Sequence, residues 1–167
     1  AFTNEEPPHF QTHLMGSWVY AHACKERGDR IEAAVALETM GCFSDELNSQ
    51  HFPVAALAAA YPSTGNFISF IGDTTCRELI RRSVGVFRET TKFPCEGASL
   101  PASIPGVHWS DHWAFVQHQY PALMVTDTAP FRYAHYHTEK DTVDHVDFQR
   151  LARVVDGVDR VVEALVK

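Results

Sequence analysis

No stretch of this chain reaches the roughly 18 consecutive apolar residues that a membrane-spanning helix requires, so composition argues against a membrane role. Positive charge is also scarce. Fourteen Lys and Arg stand against 21 Asp and Glu, giving a net charge of −7 with histidine neutral. The basic residues do not cluster, which argues against nucleic acid and against an anionic membrane surface. The opening residues carry neither a basic region nor a long apolar run, so no signal peptide is read there. Four cysteines (Cys24, Cys42, Cys76 and Cys95) include no Cys-x-x-Cys pair. A zinc knuckle and a dithiol redox centre are thereby excluded, and the thiols are expected to be mostly buried and free. Internal repeats, low-complexity runs and linkers are absent too.

What is present is one domain's worth of chain. The 167 residues suffice for a real core and read as a single domain, 1–167. Met15 to Arg27 predicts a helix, with Met15, Val19, His22 and Ala23 near helical spacing, closed by Gly28. Ile31 to Leu37 predicts a short buried strand that delivers Glu38 at its end. Residues 44–66 read as loop. Phe67 to Ile71 predicts a strand, followed by a helix to about Lys92 capped by Thr74 or Thr75. A Pro- and Gly-bearing stretch from Pro94 to Gly106 reads as irregular. A short helix is expected over Trp113–His118 and a buried strand over Pro121–Thr126. The polar loop 127–146 precedes a last helix from Asp147, whose apolar face would carry Phe148, Leu151, Val154, Val155, Val158, Val161, Val162 and Leu165. Alternating strands and helices predict an α/β fold: a three-layer sandwich with a mostly parallel central sheet flanked by helices.

The chemistry lies in two short stretches. Asn4-Glu5-Glu6-Pro7 pairs two carboxylates. Adjacent carboxylates resist joint ionisation, and a cation on one relieves this while the other stays a base near neutral pH. Tyr136-His137-Thr138, with Asp141-Thr142 after it, supplies an imidazole and a phenol. Glu38 occupies the carboxyl end of an apolar strand, where open α/β sheets place functional groups. His108, Trp109, His112 and Trp113 read as an aromatic packing loop or a pocket wall, and Phe131 and Arg132 as possible lining of the same cleft.

Taken in order, Asn4-Glu5-Glu6-Pro7-Pro8, Met15-Gly16-Ser17, Leu37-Glu38-Thr39-Met40-Gly41, Ser110-Asp111-His112 and Tyr136-His137-Thr138 resemble the co-catalytic zinc aminopeptidases of the bacterial secreted type. Their superfamily includes glutamate carboxypeptidases and glutaminyl cyclases, and the likeness covers nearly the whole chain. It implies Glu5 as general base and Tyr136 as the group polarising the scissile carbonyl. Glu6 and His137 would ligate one zinc and Glu38 a second. Asp111 and His112 would support the site, with Trp109, Phe131 and Arg132 near the substrate. In the family a first histidine ligand and a bridging aspartate precede the Glu-Glu pair, whereas only four residues precede Glu5 here. The resemblance therefore implies an N-terminally truncated domain, short of the three or more protein ligands of a catalytic zinc. The expected function is a zinc-dependent exopeptidase, an aminopeptidase acting on peptides, impaired by those missing ligands. Two alternatives stay open: an inactive or oligomerising module of this fold, and a glutaminyl-cyclase-like acyltransferase. Exposed sheet edges would be covered by a homo-oligomer or by a missing N-terminal segment. Family habit implies a periplasmic or extracellular location.

Overall fold

A computed structural model describes residues 1–167. Helix α1 (Gly16–Arg27) leads to strand β1 (Ala34–Glu38), the single turn α2 (Ala55–Ala58) and strand β2 (Ile68–Asp73). Helix α3 (Arg77–Thr90), strand β3 (Cys95–Leu100), helix α4 (His112–Gln117), strand β4 (Ala122–Thr126) and helix α5 (Phe148–Leu165) complete the order. The strands form one sheet, β1-β4-β2-β3. β1 pairs with β4 and β2 with β3 in parallel, while β2 meets β4 antiparallel.

Side chains alternate across the strands, so each strand serves both faces. On one face Ile68 and Phe70 of β2 and Leu123 and Val125 of β4 pack against Ile80, Val84 and Phe87 of α3 and Val154, Val158 and Val161 of α5. On the other face Ala122 packs with Ala21 and Cys24 of α1 and with Phe115 of α4. The result is the three-layer α/β sandwich expected from the sequence, with a mixed sheet at its centre. All four cysteines are free; Cys24, Cys76 and Cys95 are buried and Cys42 is partly so.

Several local expectations need correction. β3 lies inside the stretch read as irregular. A side chain at Gly97 would put its Cβ 2.9 Å from a Val84 methyl, so this glycine lets α3 pack on a strand instead of marking a loop. Neither Thr74 nor Thr75 caps α3, whose N-cap position, Cys76, makes no side-chain cap bond. The Asp73 carboxylate caps the 3-10 turn Thr74–Cys76 just before it, accepting from the Thr75 N–H. The α1 face is misassigned as well: Ser17, Ala21 and Cys24 are buried, whereas Val19 is 56% exposed. On α5, Phe148, Val155 and Val162 face solvent, so the inner stripe is narrower than the valine run suggests. Asp147 does cap α5, through the Arg150 N–H at 2.9 Å.

Candidate functional site

Three segments meet at the carboxyl ends of β1 and β4. The first is the loop bearing Glu5 and Glu6. It passes close to the start of α1, where the Gly16 N–H donates to the Thr3 carbonyl at 2.8 Å. A Cβ on Gly16 would lie 2.8 Å from the Thr3 nitrogen, so glycine is required for this approach. The second is the end of β1, which presents Glu38 in register with Thr126 of β4. The third is the 127–146 loop, which carries Tyr136 and His137. Asn4 (φ 58°), Thr39 (φ 43°) and His137 (φ 55°) all adopt left-handed backbone. Such strained non-glycine residues gather at functional sites, and here each adjoins or is a predicted site residue.

These segments enclose a cavity of about 190 Å³ lined by Glu5, Glu6, Glu38, Tyr136 and His137, with Pro7, Phe10 and Trp109. His137 Nε2 lies 3.5 Å from Glu6 Oε1. The Tyr136 ring stacks on the His137 imidazole with centroids 3.9 Å apart. Burial pushes the Glu5 carboxyl up to about 7, helped by the negative charges of Glu38, Glu6 and Asp111. Glu38 is also raised, chiefly by burial, against a hydrogen bond from Ser110. Burial and the three glutamates hold the Tyr136 phenol protonated, up to about 12. At neutral pH the cavity thus offers a carboxyl able to accept or give up a proton and a phenol able to donate a hydrogen bond.

Five residues expected at the site, Glu5, Glu6, Glu38, Tyr136 and His137, are brought together, and Trp109 walls the cavity. Asp111 lies close enough to raise both Glu5 and Glu38, and its buried Oδ1 has no hydrogen-bond partner. His112 is turned inward. Its Nε2 bonds the Val107 carbonyl at 2.8 Å, and burial pushes its imidazole down to about 4. Phe131 lines a neighbouring apolar pocket.

Arg132, expected near the substrate, is not in the cleft. Its Nε donates to Gln50 Oε1 and its Nη1 to the Gly65 and Phe67 carbonyls at 3.1 and 2.9 Å. Burial lowers this guanidinium to about 10, with Asp127 opposing the fall. It serves to tie irregular backbone together, because three segments converge there without a sheet to satisfy their carbonyls. Sequence reasoning missed two things. One is Ser110, which lies near enough to Glu38 to oppose the rise of its carboxyl; it was visible within Ser110-Asp111-His112, but its direction was not. The other is the apolar pocket, of about 70 Å³, which assembles Phe52, Leu57, Tyr61, Ile71, Leu100 and Ile104 from three separated segments.

Metal fit is partial. Glu6 and His137 face one another as a carboxylate–imidazole pair, but no group of three or more His, Cys, Asp or Glu side chains is arranged to hold an ion.

The fold is an α/β sandwich on a mixed sheet, and the cavity at its edge gathers three carboxyls, an imidazole and a phenol. The chain belongs to peptidase family M28, whose family model matches residues 1–162. It is 37% identical over 158 residues to the uncharacterized protein YfbL of Escherichia coli (strain K12), covering 95% of this chain and 48% of that one. It therefore spans about half the length of this curated relative. The LapA aminopeptidase of Legionella pneumophila superposes with a TM-score of 0.63 at 16% identity, over 89% of this chain and 35% of that one. An aminopeptidase from Aneurinibacillus sp. strain AM-1 gives 0.56 at 18% identity, over 88% and 29%. At such identities the two superpositions speak to the fold.

Proposed function

We propose that the chain carries the carboxylate and imidazole half of a zinc-dependent aminopeptidase site, with Glu5 as proton acceptor and Tyr136 as hydrogen-bond donor to the scissile carbonyl. The observation that carries this reading is the pairing of Glu6 with His137 at 3.5 Å in a cavity that Glu5, Glu38 and Tyr136 also line. Glu6 and His137 would hold one zinc ion and Glu38 would face a second. When bound, zinc supplies a Lewis acid and a water of lowered pKa. Two donors are fewer than the three that a catalytic zinc takes from protein, so the ion would need at least one further donor beside this pair. Glu5 receives the proton released during attack, and Ser110 keeps Glu38 oriented. The substrate class is a peptide with a free amino end, which the acidic cavity favours. The apolar pocket beyond Phe131 favours an apolar first side chain.

The test is metal content after zinc dialysis, alongside hydrolysis of leucyl-p-nitroanilide. We expect zinc in the wild type, lost in Glu6→Ala/His137→Ala, and slow nitroaniline release that a chelator stops. Zinc content equal in the two proteins, or hydrolysis indifferent to chelation, would sink the assignment.

A second reading, an associating module of the same fold, is favoured by one observation. β1 is an edge strand, with Leu37 56% exposed on a surface shared with the exposed Phe2 and Tyr20. Unpaired edges recruit other strands, and another copy of the chain is the proposed partner. Light scattering across a concentration series checks this; a monomer throughout rejects it.

A further inference from the structure

The loop from Pro101 to Asp111 brings Trp109 to the carboxylate cavity, yet its backbone–backbone bonds are local turns, such as Val107 N–H to the Ile104 carbonyl at 3.2 Å. Something else must hold it. It carries Gly106 and Val107 into the apolar pocket, Trp109 into the carboxylate cavity and Ser110 against Glu38. One buried side-chain contact ties it to β2: His108 Nε2 lies 3.2 Å from Asp73 Oδ2, with both side chains about nine-tenths buried, while the Gln11 side-chain amide donates to the His108 carbonyl at 2.9 Å.

Asp73 stands far from the chemistry. Glu38 is in register with Thr126, and Thr126 with Ser69. Asp73 lies four residues further along β2, roughly 13 Å at the rise of an extended strand. Its carboxylate also accepts from the Thr75 N–H at 2.8 Å and from the Thr75 hydroxyl. Burial works against its charge, but the Thr75 bonds and His108 outweigh burial and keep its carboxyl below the usual range. A fixed, charged acceptor is thus built into the end of β2. No serine, threonine or cysteine side chain hydrogen-bonds the His108 ring, so the pair is not part of a nucleophilic triad.

The residue after His108 is Trp109, whose indole runs near-parallel to Phe131, 20° between planes with centroids 6.3 Å apart. Trp109 faces the carboxylate cavity and Phe131 the apolar pocket. The two rings are the partition between chemistry and side-chain recognition. We propose that Asp73 and His108 are positioning residues which fix Trp109 in that partition, and thereby set the preference for a large apolar first side chain over a small one. This rests on the aminopeptidase reading for its second half only.

The experiment separates the two. Indole N–H signals of the three tryptophans are followed by ¹H–¹⁵N NMR, with Trp109 assigned by its loss in Trp109→Phe. Trp18 and Trp113, whose tilted rings lie 5.2 Å apart, report whether the rest of the fold survives. His108→Ala and His108→Gln leave the Asp73 cap in place. Thr75→Val removes a hydroxyl from Asp73 but not the His108 partner. We expect the Trp109 signal to move and broaden in His108→Ala, to recover partly in His108→Gln, which keeps a donor, and to stay put in Thr75→Val. In zinc-loaded enzyme, the ratio of kcat/KM for leucyl over alanyl p-nitroanilide should fall about tenfold in His108→Ala, the low end of what apolar pocket contacts confer. A Trp109 signal unmoved in His108→Ala overturns the inference, as does an unchanged leucyl-to-alanyl ratio in an active enzyme. Should the wild type hydrolyse neither substrate, the aminopeptidase reading falls, and the indole signals alone decide whether the pair positions Trp109.

Discussion

Replacing Glu5 by Gln should stabilise the metal-free protein at pH 8 and leave it unchanged near pH 4.5. The reason is that the folded state holds the Glu5 proton more tightly than the unfolded chain does. Its carboxyl moves from 4.5 to about 7 through burial, then through Glu38, Glu6 and Asp111. A raised carboxyl contributes stability that is fully present below the unfolded value. That stability is lost as pH rises from 4.5 toward 7, because the folded state must then ionise at a cost. In a dry site a displacement from 4.5 to about 7 corresponds to about 3.4 kcal/mol. Glu5 is only half-buried, and screening by solvent brings the expected figure to about 1–1.5 kcal/mol. For a chain of this size that is a Tm difference of about 2–6 °C. The assay is thermal unfolding of wild type and Glu5→Gln with chelator present, from pH 4.5 to 8, with the exposed Glu139→Gln as control. The two curves should coincide at low pH and separate in favour of Glu5→Gln as pH rises. Parallel curves, or a variant less stable at pH 8, would refute a Glu5 carboxyl strained by its neighbours.

Gly157 in α5 leaves no room for a side chain, since an added Cβ would fall 2.3 Å from a Phe87 ring carbon. Gly157→Ala should therefore destabilise by about 1–3 kcal/mol despite a helix-propensity gain of about 1 kcal/mol, as read by urea unfolding. Arg132→Met should cost about 3–5 kcal/mol in the same assay, because it strands Gln50 and the carbonyls of Gly65 and Phe67 without their donor. A variant with wild-type stability and altered substrate preference would instead return Arg132 to the cleft. Phe131→Ala should raise KM for leucyl more than for alanyl p-nitroanilide, since its ring lines the apolar pocket; equal effects on both would remove that pocket from recognition.

The strands and helices that obey a simple period were legible from residues alone. β4 is one run of buried apolar residues, and Asp147 announces α5 because a carboxylate before an apolar stripe is a local capping signal. Where two elements had to touch, the local signal misled. The stretch around Gly97 read as irregular, yet this glycine is dictated by the Val84 side chain across the interface, as Gly157 is by Phe87. The narrower face of α5 and the inward face of α1 were decided likewise, by neighbours distant in sequence.

For the candidate site, the sequence by itself singled out Glu5, Glu6, Glu38, Tyr136 and His137, because they are reactive types in recognisable short patterns, and residue type is a local property. Tertiary structure alone decided their relations. It brought Glu6 within 3.5 Å of His137 across 131 positions, and it raised Glu5 by burying it, beside Glu38, Glu6 and Asp111. It turned Arg132 away while giving Trp109 a wall to form, and it hooked the loop before α4 to Asp73 at the far end of the sheet. Proton affinity, direction and distance are fixed by what lies alongside in space, and sequence order does not encode that directly.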